Sequence, residues 1–109
     1  MNVIILPEVL EYLDDLVFIL FKNEYFGFLE TSINYVDELI DDITLLLPIK
    51  LHKPAPIYFD KYGKEMDYAI FRKNKNTTWY VFFETYEENG EIIYLVCHIE
   101  NNHTCAQYL

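Results

Sequence analysis

The sequence predicts an α+β fold: an N-terminal strand, an antiparallel helical hairpin, then an antiparallel four-strand meander. Three observations carry this. Apolar residues recur at helical spacing as far as Leu47. From Ile57 onward the chain is rich in aromatic and β-branched residues. Short turn sequences divide that second part into hairpin-sized pieces. At 109 residues the chain is read as one domain, 1–109.

The segment "NVIIL" is short, β-branched and apolar, and reads as a buried strand. Pro7 fits the first turn of a helix, and Glu8 and Glu11 complement its N-terminus. Val9, Leu13, Leu16 and Leu20 fall on one helical face, predicting a helix over 9–21. Asn23 reads as the N-cap of a second helix over about 24–46. Its seam is Phe26, Leu29, Ile33, Val36, Ile40, Ile43 and Leu47, with Gly27 a weak point near its start and Pro48 its stop. So short a connection makes the helices antiparallel neighbours.

Four strands follow: "IYFDKY", "EMDYAIF", "TTWYVFFETY" and "EIIYLVCHI". Pairing the last two across "EENG" sets Tyr86 opposite Glu91, Phe83 near Tyr94 and Val81 near Val96. One face then carries Val81, Phe83, Tyr94 and Val96, and the other Tyr80, Phe82, Leu95 and Cys97. Both are apolar, so these strands are central. Helices cover one face, which leaves the other as an open, tyrosine-rich surface.

Charge is strongly partitioned. The net charge is −10, yet seven of the eight Lys and Arg residues lie between positions 50 and 75, against Asp60, Glu65 and Asp67. That strip can meet phosphate while the rest of the surface repels it. Within it Lys53, Lys61, Lys64, Arg72 and Lys73 alternate with aromatics, and Tyr80 follows on the next strand. Cations for phosphates and rings for bases suit single-stranded RNA. The competing reading is a solvated hairpin whose lysines protect an edge strand.

Cys97, His98, His103 and Cys105 raise the question of a metal. Neighbouring strand residues point to opposite faces, so Cys97 and His98 are not expected to share one, and no metal or cofactor is expected. His103, in a polar tail, reads as an exposed acid or base, or as an ordinary surface histidine. The pairs Asp14–Asp15, Asp37–Glu38 and Asp41–Asp42 read as a solvated helical face or a docking surface for a basic partner. Two cysteines make no disulfide framework, the start lacks a basic leader, and "LVFILF" is far below the ~18 apolar residues of a membrane span. A cytoplasmic chain with no membrane contact is the expectation.

This order, with "IFR" at Ile70–Arg72, "WYVFF" at Trp79–Phe83 and "LVCHIENNH" at Leu95–His103, resembles the RelE/ParE superfamily of bacterial type II toxins. The resemblance implies a metal-independent endoribonuclease of messenger RNA, acting on the ribosome and neutralised by an antitoxin protein. It implies Arg72 as the group that stabilises the phosphate's charge, with His103 and Tyr108 as candidates for proton transfer. Lys53, Lys61, Lys64, Arg72, Lys73 and Tyr80 would contact RNA. The chain departs from the family where Tyr80 replaces an Arg and "NNHT" replaces an Arg pair. A second class therefore stays open: a non-catalytic binding module on the same fold, acting on DNA gyrase or serving as an adaptor.

Overall fold

The computed structural model describes residues 2–23, 27–105 and 108–109, and of Thr104 and Cys105 the backbone alone. Two helices, α1 (Pro7–Lys22) and α2 (Leu29–Leu46), pack on one face of a five-strand sheet. The strands are β1 (Asn2–Ile5), β2 (Lys53–Pro54), β3 (Asp67–Asn74), β4 (Thr77–Glu88) and β5 (Glu91–Asn101), in spatial order β1-β5-β4-β3-β2. A short α3 (Asn102–Cys105) follows. The sheet is mixed, because β1 runs parallel to β5.

β1 is an edge strand, which corrects the expectation of a buried one. Val3 and Ile5 pack on the core, while Ile4 is 49% exposed. Pro7 opens α1 as expected. Asn23 caps the other end from that predicted: its backbone N–H closes α1 onto Ile19 and Phe21. Phe28 is the N-cap of α2, so Gly27 precedes the helix and does not interrupt it. Phe26 lies outside the described residues.

The buried line of α2 is Ser32, Val36, Leu39 and Ile43, continuing to Leu47. Ile33 is 40% exposed, and Leu20 and Ile40 are half-buried. The predicted seam marked a helix–helix contact, but α2 also leans on the sheet. Its deepest face therefore turns toward Leu39 and the small Ser32.

"IYFDKY" is not a strand. Ile57–Lys61 forms a 3-10 turn after Pro56, with Phe59 N–H bonded to Pro56 O and Tyr62 N–H to Phe59 O. The turn drives Phe59 onto the second face of the sheet, where it stacks on Phe82 at 4.3 Å and packs with Met66. That face is thus partly roofed, where an open surface was expected. Gly63 allows the close return: a Cβ there would lie 2.8 Å from Glu84 Oε2 and Met66 Sδ.

The β4–β5 turn is two residues long. Asn89 (φ 53°) and Gly90 (φ 80°) both adopt the left-handed backbone of a type I′ hairpin. Tyr86 therefore pairs with Ile93, and Phe83 with Val96, a shift of two residues from the predicted register. An even shift preserves the faces, so Val81, Phe83, Tyr94 and Val96 all enter the helix-side core with Ala69, Phe71 and Trp79.

A bulge breaks the alternation next. Phe82 pairs with His98 and Phe83 with Val96, which leaves Cys97 as the extra residue. Cys97 and His98 then both join the second face, and Ile99 returns to the core. The alternation argument that separated Cys97 from His98 fails at this point. The Cys97 thiol donates to Leu95 O at 3.4 Å.

Candidate functional site

The predicted cations divide between the two faces of the sheet. β3 alternates, so Phe71 and Lys73 face the helices and Arg72 faces away. Lys73 lies 3.5 Å from Glu38 Oε2 and 4.9 Å from the Tyr35 ring centroid. Lys50 likewise turns inward, donating to Ile70 O at 2.8 Å above the Phe71 ring. Lys53, Lys61, Lys64 and Arg72 are exposed.

The second face holds an aromatic array. Tyr58 stacks on Tyr108 at 3.7 Å, and Tyr62 stacks on His98 at 3.5 Å. Lys61 Nζ lies 4.2 Å from the Tyr58 centroid and 5.3 Å from that of Tyr62. The Tyr58 hydroxyl holds the Lys61 ammonium above its ordinary pKa. Tyr80 is half-buried, 6.1 Å from Tyr68. His98 bonds Glu100 at 2.6 Å, and burial pulls its pKa down while Glu100 opposes the change.

His103 follows the C-terminal end of β5, on the helix side. Its position is built by two asparagines. Asn101 Oδ1 accepts the His103 backbone N–H at 2.9 Å, as a helix N-cap does. Asn102 Oδ1 accepts the Thr78 N–H at 3.0 Å, and Asn102 Nδ2 donates to Asn76 O at 3.2 Å. Asn74 Oδ1 accepts the Asn76 N–H at 2.8 Å and shapes the β3–β4 turn beneath. The tail is thereby fastened to that turn with His103 exposed beside Lys75.

Two cavities meet at His103. One, of about 410 Å³, is lined by Asn74, Lys75, Asn76, Thr77 and His103. The other, of about 440 Å³, runs inward past Leu16, Leu20, Tyr12, Tyr35 and Trp79. The Trp79 indole N–H donates to the Tyr35 hydroxyl at 2.9 Å. Burial raises the pKa of both Tyr12 and Tyr35, so each keeps its proton near neutrality.

A larger cavity, about 600 Å³, lies beside His98 and Lys61 but also contains Glu8 and Glu100. Those carboxylates oppose a phosphate. Neither cavity at His103 has a carboxylate among its described lining residues, in a chain with 18 Asp and Glu. Among the described residues, the lining at His103 is therefore the more favourable to an anion, although the cavity is smaller.

The structure does not gather Arg72, His103 and Tyr108 into one cavity. Arg72 lies on the second face, opposite Thr78; His103 borders the helix-side cleft; Tyr108 rests on Tyr58. Sequence reasoning missed Asn101, Asn102 and Lys75 as site residues. Two asparagines directly before a tail histidine were the available signal, since such side chains fix local backbone. Among the described residues no helix is long and apolar enough to cross a membrane. Comparison with protein-family models, with curated proteins and with solved structures finds no match.

Proposed function

We propose that this chain is the toxin of a bacterial type II toxin–antitoxin pair of the RelE/ParE type, cutting messenger RNA without a metal ion and neutralised by a small antitoxin. The observation that carries this reading is His103, fixed by Asn101 and Asn102 beside Lys75 over a cleft with no carboxylate among its described lining residues. The strand, helical hairpin and meander in that order support it. In this chemistry the imidazole takes the proton of a ribose 2′-hydroxyl, and the 2′-oxygen forms a bond to the adjacent phosphorus. The bond to the 5′-oxygen breaks, that oxygen takes a proton from water, and the imidazolium returns its own proton to solvent. Lys75 stabilises the charge of the pentavalent phosphate, and Arg72 on the second face holds a flanking phosphate.

The test is expression in bacteria of the wild type, His103→Ala, Lys75→Ala and Arg72→Ala, with growth and transcript integrity followed. Growth arrest with cleaved transcripts is expected from the wild type. His103→Ala should lose ~10²–10⁴ in cleavage rate. Equal arrest by wild type and His103→Ala, with transcripts intact, overturns the catalytic reading.

A second reading, a non-catalytic module that binds gyrase or another protein, is favoured by one feature. The outer face of the hairpin joins exposed Asp14, Asp15, Asp37 and Asp41 to exposed Phe18 and Ile33. Acid beside exposed apolar surface suits a basic, apolar partner.

A further inference from the structure

The two cavities at His103 share Asn74, Thr77 and His103, so they are compartments of one cleft. The residues that line them differ. The described residues around the outer compartment are all of polar type, Lys75 and His103 among them. The inner one is walled by Leu16, Ile19 and Leu20 on α1 and by the rings of Tyr12, Tyr35 and Trp79. A nucleotide has the same division: a charged phosphate and ribose joined to a flat base with an apolar face and a polar rim. We propose that the inner compartment is a slot for one unstacked nucleobase, with the attached phosphate held in the outer compartment by Lys75. This rests on the RNA reading above and adds to it where a base enters.

Three points favour a nucleotide over an apolar peptide side chain. The described lining sets no carboxylate against an anion and includes Lys75. Asn23 and Asn74 also line the slot, where amide N–H groups suit the acceptors on the edge of a base. One wall of the slot is also held together by side-chain contacts. Glu38, Lys73, Tyr35 and Trp79 form a continuous chain of contacts along one side. A wall so held loses little entropy when the slot is filled.

Trp79 is the chain's single tryptophan, so its fluorescence reports directly on the slot. The purified protein is titrated with adenosine and uridine 3′-monophosphates, the matching nucleosides and inorganic phosphate. A saturable change is expected with at least one nucleotide and none with phosphate alone. Lys75→Glu should weaken the nucleotide about tenfold or more and leave the nucleoside nearly unaffected. Leu20→Phe should weaken both by filling the slot. Ile19→Phe, at a position 43% exposed, repeats that test should Leu20→Phe unfold. No saturable change, the same change with phosphate alone, or unaltered binding in the slot-filling variants overturns the proposal. The titration needs neither toxicity nor cleavage. Binding by a non-toxic protein would sink the toxin reading alone, and toxicity without binding would sink the slot alone.

Discussion

The Trp79 indole N–H donates to the Tyr35 hydroxyl at 2.9 Å, tying the start of β4 to the middle of α2. Trp79 is 1% exposed, so its N–H has no recourse to water. Tyr35→Phe should cost about 1–3 kcal/mol by leaving that donor unpaired. Urea unfolding measures the loss. In the double variant Tyr35→Phe with Trp79→Phe the two effects should be less than additive, because the donor is gone as well.

Asn102 makes two of the bonds that hold the tail to the β3–β4 turn. Asn102→Ala should lower stability by about 1–3 kcal/mol, since the Thr78 N–H is left without its partner. It should also remove nucleotide binding or cleavage about as fully as His103→Ala does. Retained activity in Asn102→Ala would show that His103 does not depend on that anchor.

The buried line of α2 can be tested one residue at a time. Leu39→Asp should cost about 3–5 kcal/mol, by removing a fully buried side chain and introducing an unpaired charge. Ile33→Asp, on the exposed side, should stay within about 1 kcal/mol. Ser32 Oγ is buried with no hydrogen-bond partner among the described residues. Ser32→Ala should therefore be neutral or raise the melting temperature. Calorimetry on the three variants distinguishes this face from the one the periodicity suggested.

His98 sets an acid limit. Burial lowers its folded-state pKa, with Glu100 pulling the other way. As the pH falls, the unfolded chain takes up this proton first. The contribution of the neutral ring is full above the ordinary histidine pKa, and it is lost as the pH falls through that value toward the folded one. Stability should decline from pH 7 to pH 5 more steeply in wild type than in His98→Gln. Parallel curves would assign the acid lability to other groups.

If RNA runs along the second face, binding should weaken steeply with salt. Replacing Lys61 and Lys64 by alanine should reduce the log–log slope by about one to two. The same change at Lys50 and Lys73 should reduce it less, because both turn toward the helices. Filter binding of a short single-stranded RNA at several salt concentrations reads this out.

Much of the fold was legible because periodicity records burial. Val9, Leu13 and Leu16 declared α1, and the alternation of Val81 with Phe83 declared the helix-side face of β4. What escaped depended on geometry that periodicity does not record. Residues 57–61 have strand-like composition, but the successive turns after Pro56 outweighed it. The register of β4 with β5 depended on whether "EENG" is a four-residue loop or a two-residue turn. The bulge at Cys97 leaves no compositional trace. At the site, His103 was legible as a polar tail residue, and the charge partition drew attention to the basic window. That window did not reveal which lysines would turn inward. Lys50 found a backbone carbonyl and Lys73 found Glu38, both contacts formed only once the chain folds.

The parallel pairing of β1 with β5 has a consequence for synthesis. Asn2–Ile5 is made well before its partners, Ile93–Val96. Until they emerge, the first strand has no ladder and the helical hairpin has only part of its sheet. The molecule closes on itself in one late, long-range step, the slow kind of contact formation. A chain cut short before β5 lacks the strand that joins β1 to β4, and with it Tyr94, Val96 and Ile99 of the core. On the toxin reading proposed above, this ties potency to the making of β5, and an antitoxin has that interval in which to be waiting.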